Sequence, residues 1–86
     1  MNKPVTEVRR DRLKELIAEF AEGNQAEFSR QIGKSRAQVG FWLTAPDKPH
    51  AKQMSHATVR ALESKFGKPT GWMDTAARIE REARER

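Results

Sequence analysis

Residues that start and stop helices punctuate this chain at short intervals, and that spacing limits the fold more than any other feature. Thr6, Asn24, Ser35 and Ser55 are short polar residues placed ahead of apolar runs. A side-chain oxygen there can accept from the first free backbone N–H groups of a helix. Gly23, Gly33 and Gly67 stand at the opposite ends, and Pro69 blocks continuation past the last. Between these marks apolar residues recur with helical period. Leu13, Leu16, Ile17 and Phe20 follow i, i+3, i+4 and i+7; Phe28 and Ile32 lie four apart; Val59, Leu62 and Phe66 form a third stripe. Glu27 suits a capping box with Asn24, and Met54 with Val59 suits a hydrophobic staple around Ser55. No segment alternates long enough to make a convincing strand. The expectation is an all-α, compact five-helix domain whose last element, Gly71-Trp72-Met73-Asp74, is a tight turn closing the core with Trp72 and Met73.

One small core is all that 86 residues allow. There is no cysteine, so the core holds without disulfides or thiolate-bound zinc, and a reducing cytoplasm is the expected setting. The first residues, Met-Asn-Lys-Pro-Val-Thr-Glu, carry no apolar run, so no signal peptide is expected, and no stretch is long enough to span a bilayer. Tyr is absent and aromatics are few, which leaves little for stacking on single-stranded nucleic acid.

Charge is concentrated rather than spread. The chain carries net +5. Up to Glu27, acidic residues slightly outnumber basic ones, and from Met73 onward the two balance. The excess therefore lies between Phe28 and Trp72, where Arg30, Lys34, Arg36, Lys48, Lys52, Arg60, Lys65 and Lys68 face only Asp47 and Glu63. A localised positive field attracts a polyanion; a basic surface kept for solubility is the competing reading.

The third helix, opening on Ser35, concentrates the candidate chemistry. On a wheel turning about 100° per residue, Val39, Trp42 and Leu43 share one side and belong to the core. Ala37 and Phe41 fall opposite, with Gln38 nearby. Arg36 in the first turn is suited to gripping guanine O6 and N7 bidentately, or to holding a phosphate. Gln38 is suited to adenine or to a phosphate. Phe41 is either a thymine-methyl contact or a partly buried aromatic. Asn24, Gln25, Lys34, Ser35, Lys48 and Lys52 are the phosphate candidates, since helix N-termini and basic loops position a duplex. Lys48 and Lys52 sit in a basic loop with Pro46 and Pro49, where a solvated lysine is the alternative. Trp42 and Trp72 read as core.

Residues 25–43, Gln-Ala-Glu-Phe-Ser-Arg-Gln-Ile-Gly-Lys-Ser-Arg-Ala-Gln-Val-Gly-Phe-Trp-Leu, resemble the lambda-repressor-like helix-turn-helix domains, the Cro and phage-repressor family. The resemblance covers about residues 8–74. It implies that Gln25 opens the second helix and touches phosphate, that Gly33 is the turn glycine, and that Val39 and Trp42 are buried in the recognition helix. The ending Lys68-Pro69-Thr70-Gly71-Trp72-Met73-Asp74 is similar to that of many prophage-type regulators of the family. Two positions depart from it: Ser29 stands where the family favours alanine, and Gly40 lies inside the recognition helix at a cost of about 1 kcal/mol relative to alanine.

Nothing comparable supports an enzyme or a cofactor. His50 and His56 lack the i,i+4 spacing of a helical metal pair and have no further ligands, and no glycine-rich phosphate loop follows a strand. The expected function is a sequence-specific, double-stranded-DNA-binding transcriptional regulator of phage or prophage type, with a repressor foremost. Residues 6–74 would form the DNA-binding domain. Residues 75–86, with i,i+4 pairs such as Arg78–Glu82 and Glu80–Arg84, would form a charged helical or frayed tail. A weak homodimer on a palindromic operator is the expected assembly. The alternative is a protein-interaction module, an antitoxin or a transcription adaptor, built on the same helical fold.

Overall fold

The computed structural model describes residues 5–44, 48 and 52–75. They form four α-helices, α1 (Val5–Ala21), α2 (Gln25–Ile32), α3 (Arg36–Leu43) and α4 (His56–Lys65), followed by a 3-10 turn at Trp72–Asp74. No strand occurs among the described residues. The fifth expected helix is thus only this single 3-10 turn. Residues 76–86 of the expected tail, like Pro46, Asp47, Pro49 and His50, lie outside the described residues.

Three of the starts follow from local chemistry. Asn24 Oδ1 accepts from the Glu27 N–H at 3.1 Å, Ser35 Oγ from Gln38 at 3.0 Å and Ser55 Oγ from Thr58 at 3.1 Å. Each such cap contributes about 1 kcal/mol. Thr6 does not act this way: α1 already begins at Val5, so Thr6 lies within its first turn. The capping box at Asn24 is also half made, because the Glu27 carboxylate turns to Arg30 instead. That ion pair holds the Glu27 pKa below its usual value.

α1 packs against α2, α3 and the closing turn, and α2 packs on α3. Leu13, Leu16, Phe28, Val39, Val59 and Met73 lie at its centre, fully or almost fully out of water, with Trp42, Met54 and Leu62 around them. Each large side chain so buried contributes about 1.5–3 kcal/mol. Ser29 is buried too; its hydroxyl donates to the Ala26 carbonyl at 2.7 Å, which satisfies the polar atom standing in a small-residue position. Phe20, expected in the α1 stripe, is 37% exposed. Its ring instead meets Phe66 at the margin of the core, 4.6 Å between centroids, and Phe66 stacks in turn on Phe28.

Two charged residues join the core, a place charged side chains seldom take unless paired. Arg12 is 2% exposed: its Nε donates to the carbonyls of Trp72 (3.1 Å) and Thr75 (2.8 Å), and its Nη1 meets Glu15. Glu63 is equally buried. One carboxylate oxygen accepts from the backbone N–H groups of Gly71 (3.1 Å) and Met73 (2.8 Å), and the other accepts from Arg60 at 2.6 Å. Asp74 joins Arg60 and, at 2.6 Å, Arg9. The closing turn is therefore held to α1 and α4 by a chain of charge-assisted bonds as well as by Trp72 and Met73. Arg9 and then Arg60, by donating to Asp74, hold its pKa below the usual carboxylate value despite partial burial.

Candidate nucleic-acid interface

The turn between α2 and α3 is set by Gly33, whose φ of 72° lies in the left-handed region that glycine enters without strain. Its N–H returns to Arg30 and that of Lys34 to the Ser29 carbonyl, which closes the end of α2. Ser35 then starts α3 immediately. The first turn of α3 is bare: Arg36 and Ala37 are exposed, and Gln38 is half-buried. Val39 and Trp42 on the other side are core, so the helix cannot rotate without exposing them.

A polar recess of about 500 Å3 opens beside this turn. Lys34, Ser35 and Gln38 line it from the α2–α3 side, and Gln53, Ser55 and Thr58 from the α4 side. The N-termini of α3 and α4 thus converge on one hollow with a lysine at its edge. Partial positive charge at both helix starts adds to Lys34 in favouring an anion. The sequence singled out Lys34, Ser35 and Gln38. It missed Gln53 and Thr58, and it gave Ser55 only a capping role, because nothing local shows that α4 starts next to α3.

The remaining candidates are placed less uniformly. Gln25 is exposed at the first position of α2. Asn24 is occupied as a cap, and the hollow beside it also contains Glu22 and Glu27, a poor setting for a phosphate. Lys52 lies against the end of α3: its N–H donates to the Phe41 carbonyl at 3.1 Å and its Nζ stands 5.7 Å from the Phe41 ring centroid. Phe41 is accordingly half-buried and not bare. Lys48 is exposed, and no described contact ties it to the site.

Pairing sharpens the charge map. Arg30 pairs with Glu27, Lys68 with Glu19, and Arg60 with Glu63 and Asp74. Among the described residues, Lys34, Arg36, Lys48, Lys52 and Lys65 pair with no carboxylate. Much of the uncompensated charge of the middle segment therefore sits on the α2–α3 turn and the approach to α4.

No group of acidic, His or Cys side chains among the described residues could hold a metal ion, and no described helix is long and apolar enough to cross a membrane. The sequence matches no protein-family model and no curated protein. The fold is similar to a solved chain of a Rep-Ant complex from a Salmonella temperate phage, with a TM-score of 0.77 and 22% identity, over 94% of this chain and 44% of that one. This chain thus spans less than half the length of that protein, and the likeness is one of fold.

Proposed function

We propose that this chain is a sequence-specific double-stranded-DNA-binding regulator of phage type, with α2 and α3 as a lambda-repressor-like helix-turn-helix. α3 enters the major groove; Arg36, Ala37 and Gln38 reach base edges, and Phe41 offers an apolar contact from the next turn. Lys34, Ser35 and Gln25 hold phosphates, Lys52 and Lys48 add charge from the loop side, and Asn24 serves chiefly as a cap. The observation that carries this reading is a capped helix with a bare first turn, Arg36 at its head, beside a recess where two helix N-termini and Lys34 meet. A duplex presents bases and phosphates together, and so meets both features at once.

Pairing as a homodimer belongs to the same reading. One domain of this size reads few base pairs, and two-fold pairing spaces two recognition helices about 34 Å apart, one turn of duplex. The sequence offers Trp72, Met73, Ile79 and the alanines beside it for the seam; Trp72 and Met73 are buried in the core of the domain, so residues 75–86 are the proposed seam. A second reading, contact with a protein, is favoured by the fold neighbour, which comes from a Rep-Ant complex.

Selection from a randomised duplex pool with the purified chain tests the proposal. The expected outcome is an enriched site with two related half-sites. Its affinity should fall with salt, with a log–log slope of about −0.9 for each phosphate neutralised. No enrichment, or binding insensitive to salt, overturns it.

A further inference from the structure

Next to the polar recess lies a second hollow of about 250 Å3, between α4 and the α2–α3 turn. Ile32, Trp42, Ala57, Ala61 and Leu62 make its apolar floor and walls. Ala57 and Ala61 are exposed one turn apart on α4, so no long side chain fills the space between them. Lys65 stands at the C-terminal end of α4 and also lines the hollow. Lys34 stands toward the other end, since it shares the polar recess with Ser55 and Thr58 at the start of α4.

No carboxylate lines this groove, and among the described residues neither lysine pairs with one. An apolar trough with an uncompensated cation toward each end complements one kind of occupant. It needs apolar side chains to fill the trough and carboxylates placed to meet the lysines. From Ala57 to Lys65 α4 rises about 12 Å, which matches two turns of an amphipathic helix laid along it. A DNA backbone would leave the apolar walls without a partner.

We propose that this groove docks an acidic amphipathic helix from a protein partner, and that docking competes with DNA. Docking stands on the groove alone; the competition rests on the DNA-binding reading above. Lys34, Trp42 and Thr58 line both hollows, so a carboxylate seated on Lys34 takes the cation a phosphate would use. Linkage requires that the partner lower DNA affinity by the same factor that DNA lowers affinity for the partner.

The test uses the full chain and peptides selected on it from a random displayed library. Enriched peptides are then synthesised, labelled and titrated directly by fluorescence anisotropy. They are expected to combine Asp or Glu with Leu, Phe or Trp at helical spacing. Ala61→Trp, which fills the trough from an exposed position, should weaken them about tenfold or more with the melting temperature and DNA affinity unchanged. Lys65→Glu should weaken them as well. The peptides should displace duplex from the parent chain and fail to displace it from Ala61→Trp. Peptides without acidic residues, or peptides that bind Ala61→Trp as well as the parent, overturn the proposal. A dimer that becomes monomeric in Ala61→Trp would make a second copy the occupant and overturn it too. If the chain binds no DNA, the competition falls with the DNA reading, and the direct titration still decides the docking.

Discussion

The Arg12 guanidinium lies over the Trp72 indole, 4.2 Å from the ring centroid, while its Nε bonds the Trp72 carbonyl. A lysine would keep the charge but lose the planar fork that meets ring and carbonyls together. Arg12→Lys should therefore cost about 1–3 kcal/mol. A domain of this size loses about 4–8 °C of melting temperature per kcal/mol. Thermal unfolding followed by circular dichroism, with a shift of at least a few degrees, checks this; an unchanged midpoint would show that the stacking is dispensable.

Acid should loosen the closing turn. The pKa of Asp74 is lowered in the folded chain by Arg9 and Arg60, so folding favours its charged form. Its contribution is complete above the unfolded carboxyl value of about 3.9 and disappears as pH falls through the lower folded value. Asp74→Asn should lower the melting temperature at neutral pH. Below about pH 4 the gap between variant and parent should shrink. A gap that stays constant with pH would remove Asp74 from the linkage.

Arg36→Ala should reduce binding to a selected duplex more than binding to random duplex. The expected loss is about 1–3 kcal/mol, with relaxed preference at one base pair. Competition titrations against single-substituted sites measure both effects. Equal losses on all sequences would mean that Arg36 holds a phosphate.

Lys34→Ala should weaken every sequence alike and lower the magnitude of the salt slope by about one. Lys34 is exposed at the edge of the recess and pairs with no carboxylate among the described residues, so its removal leaves no buried charge behind. Titrations at several salt concentrations give the slope, and an unaltered slope excludes this contact.

Gly40 offers a test that separates stability from binding. A methyl group built there would meet nothing within 4 Å, so packing does not demand the glycine. Gly40→Ala should stabilise the domain by about 0.5–1 kcal/mol through helix propensity. If the bare backbone serves close approach to DNA, affinity falls while the melting temperature rises. A gain in stability with unchanged affinity would make the glycine merely tolerated.

What the sequence made legible was local. The caps at Asn24, Ser35 and Ser55 and the turn at Gly33 depend on neighbours within a few positions, and all four form. The same is true of Lys34, Ser35 and Gln38 sharing one edge of the site. Arg12 and Glu63 were not legible, because a buried charge is tolerable only with partners, and the backbone groups that meet both come from the closing turn, which no local pattern places against α1 or α4. Gln53 and Thr58 escaped for a related reason: their place beside α3 depends on how the chain returns after the loop. Phe20 and Phe41 show the limit of a helical wheel, which assigns a face but not what a neighbouring segment lays over it.

The Arg9–Asp74 ion pair of the closing turn joins residues 65 positions apart, and so has a kinetic meaning. Helices with their own caps form from nearby residues, whereas closing a loop of this length costs about 4 kcal/mol in chain entropy before any contact rewards it. A contact formed after the transition state governs the rate of opening more than the rate of closing, and stopped-flow comparison of Asp74→Asn with the parent is expected to place this pair in that class, by faster unfolding at an unchanged folding rate. With that outcome Arg9 and Asp74 would act as a latch: they would set how long the folded domain persists, while the capped helices would set how quickly it is reached.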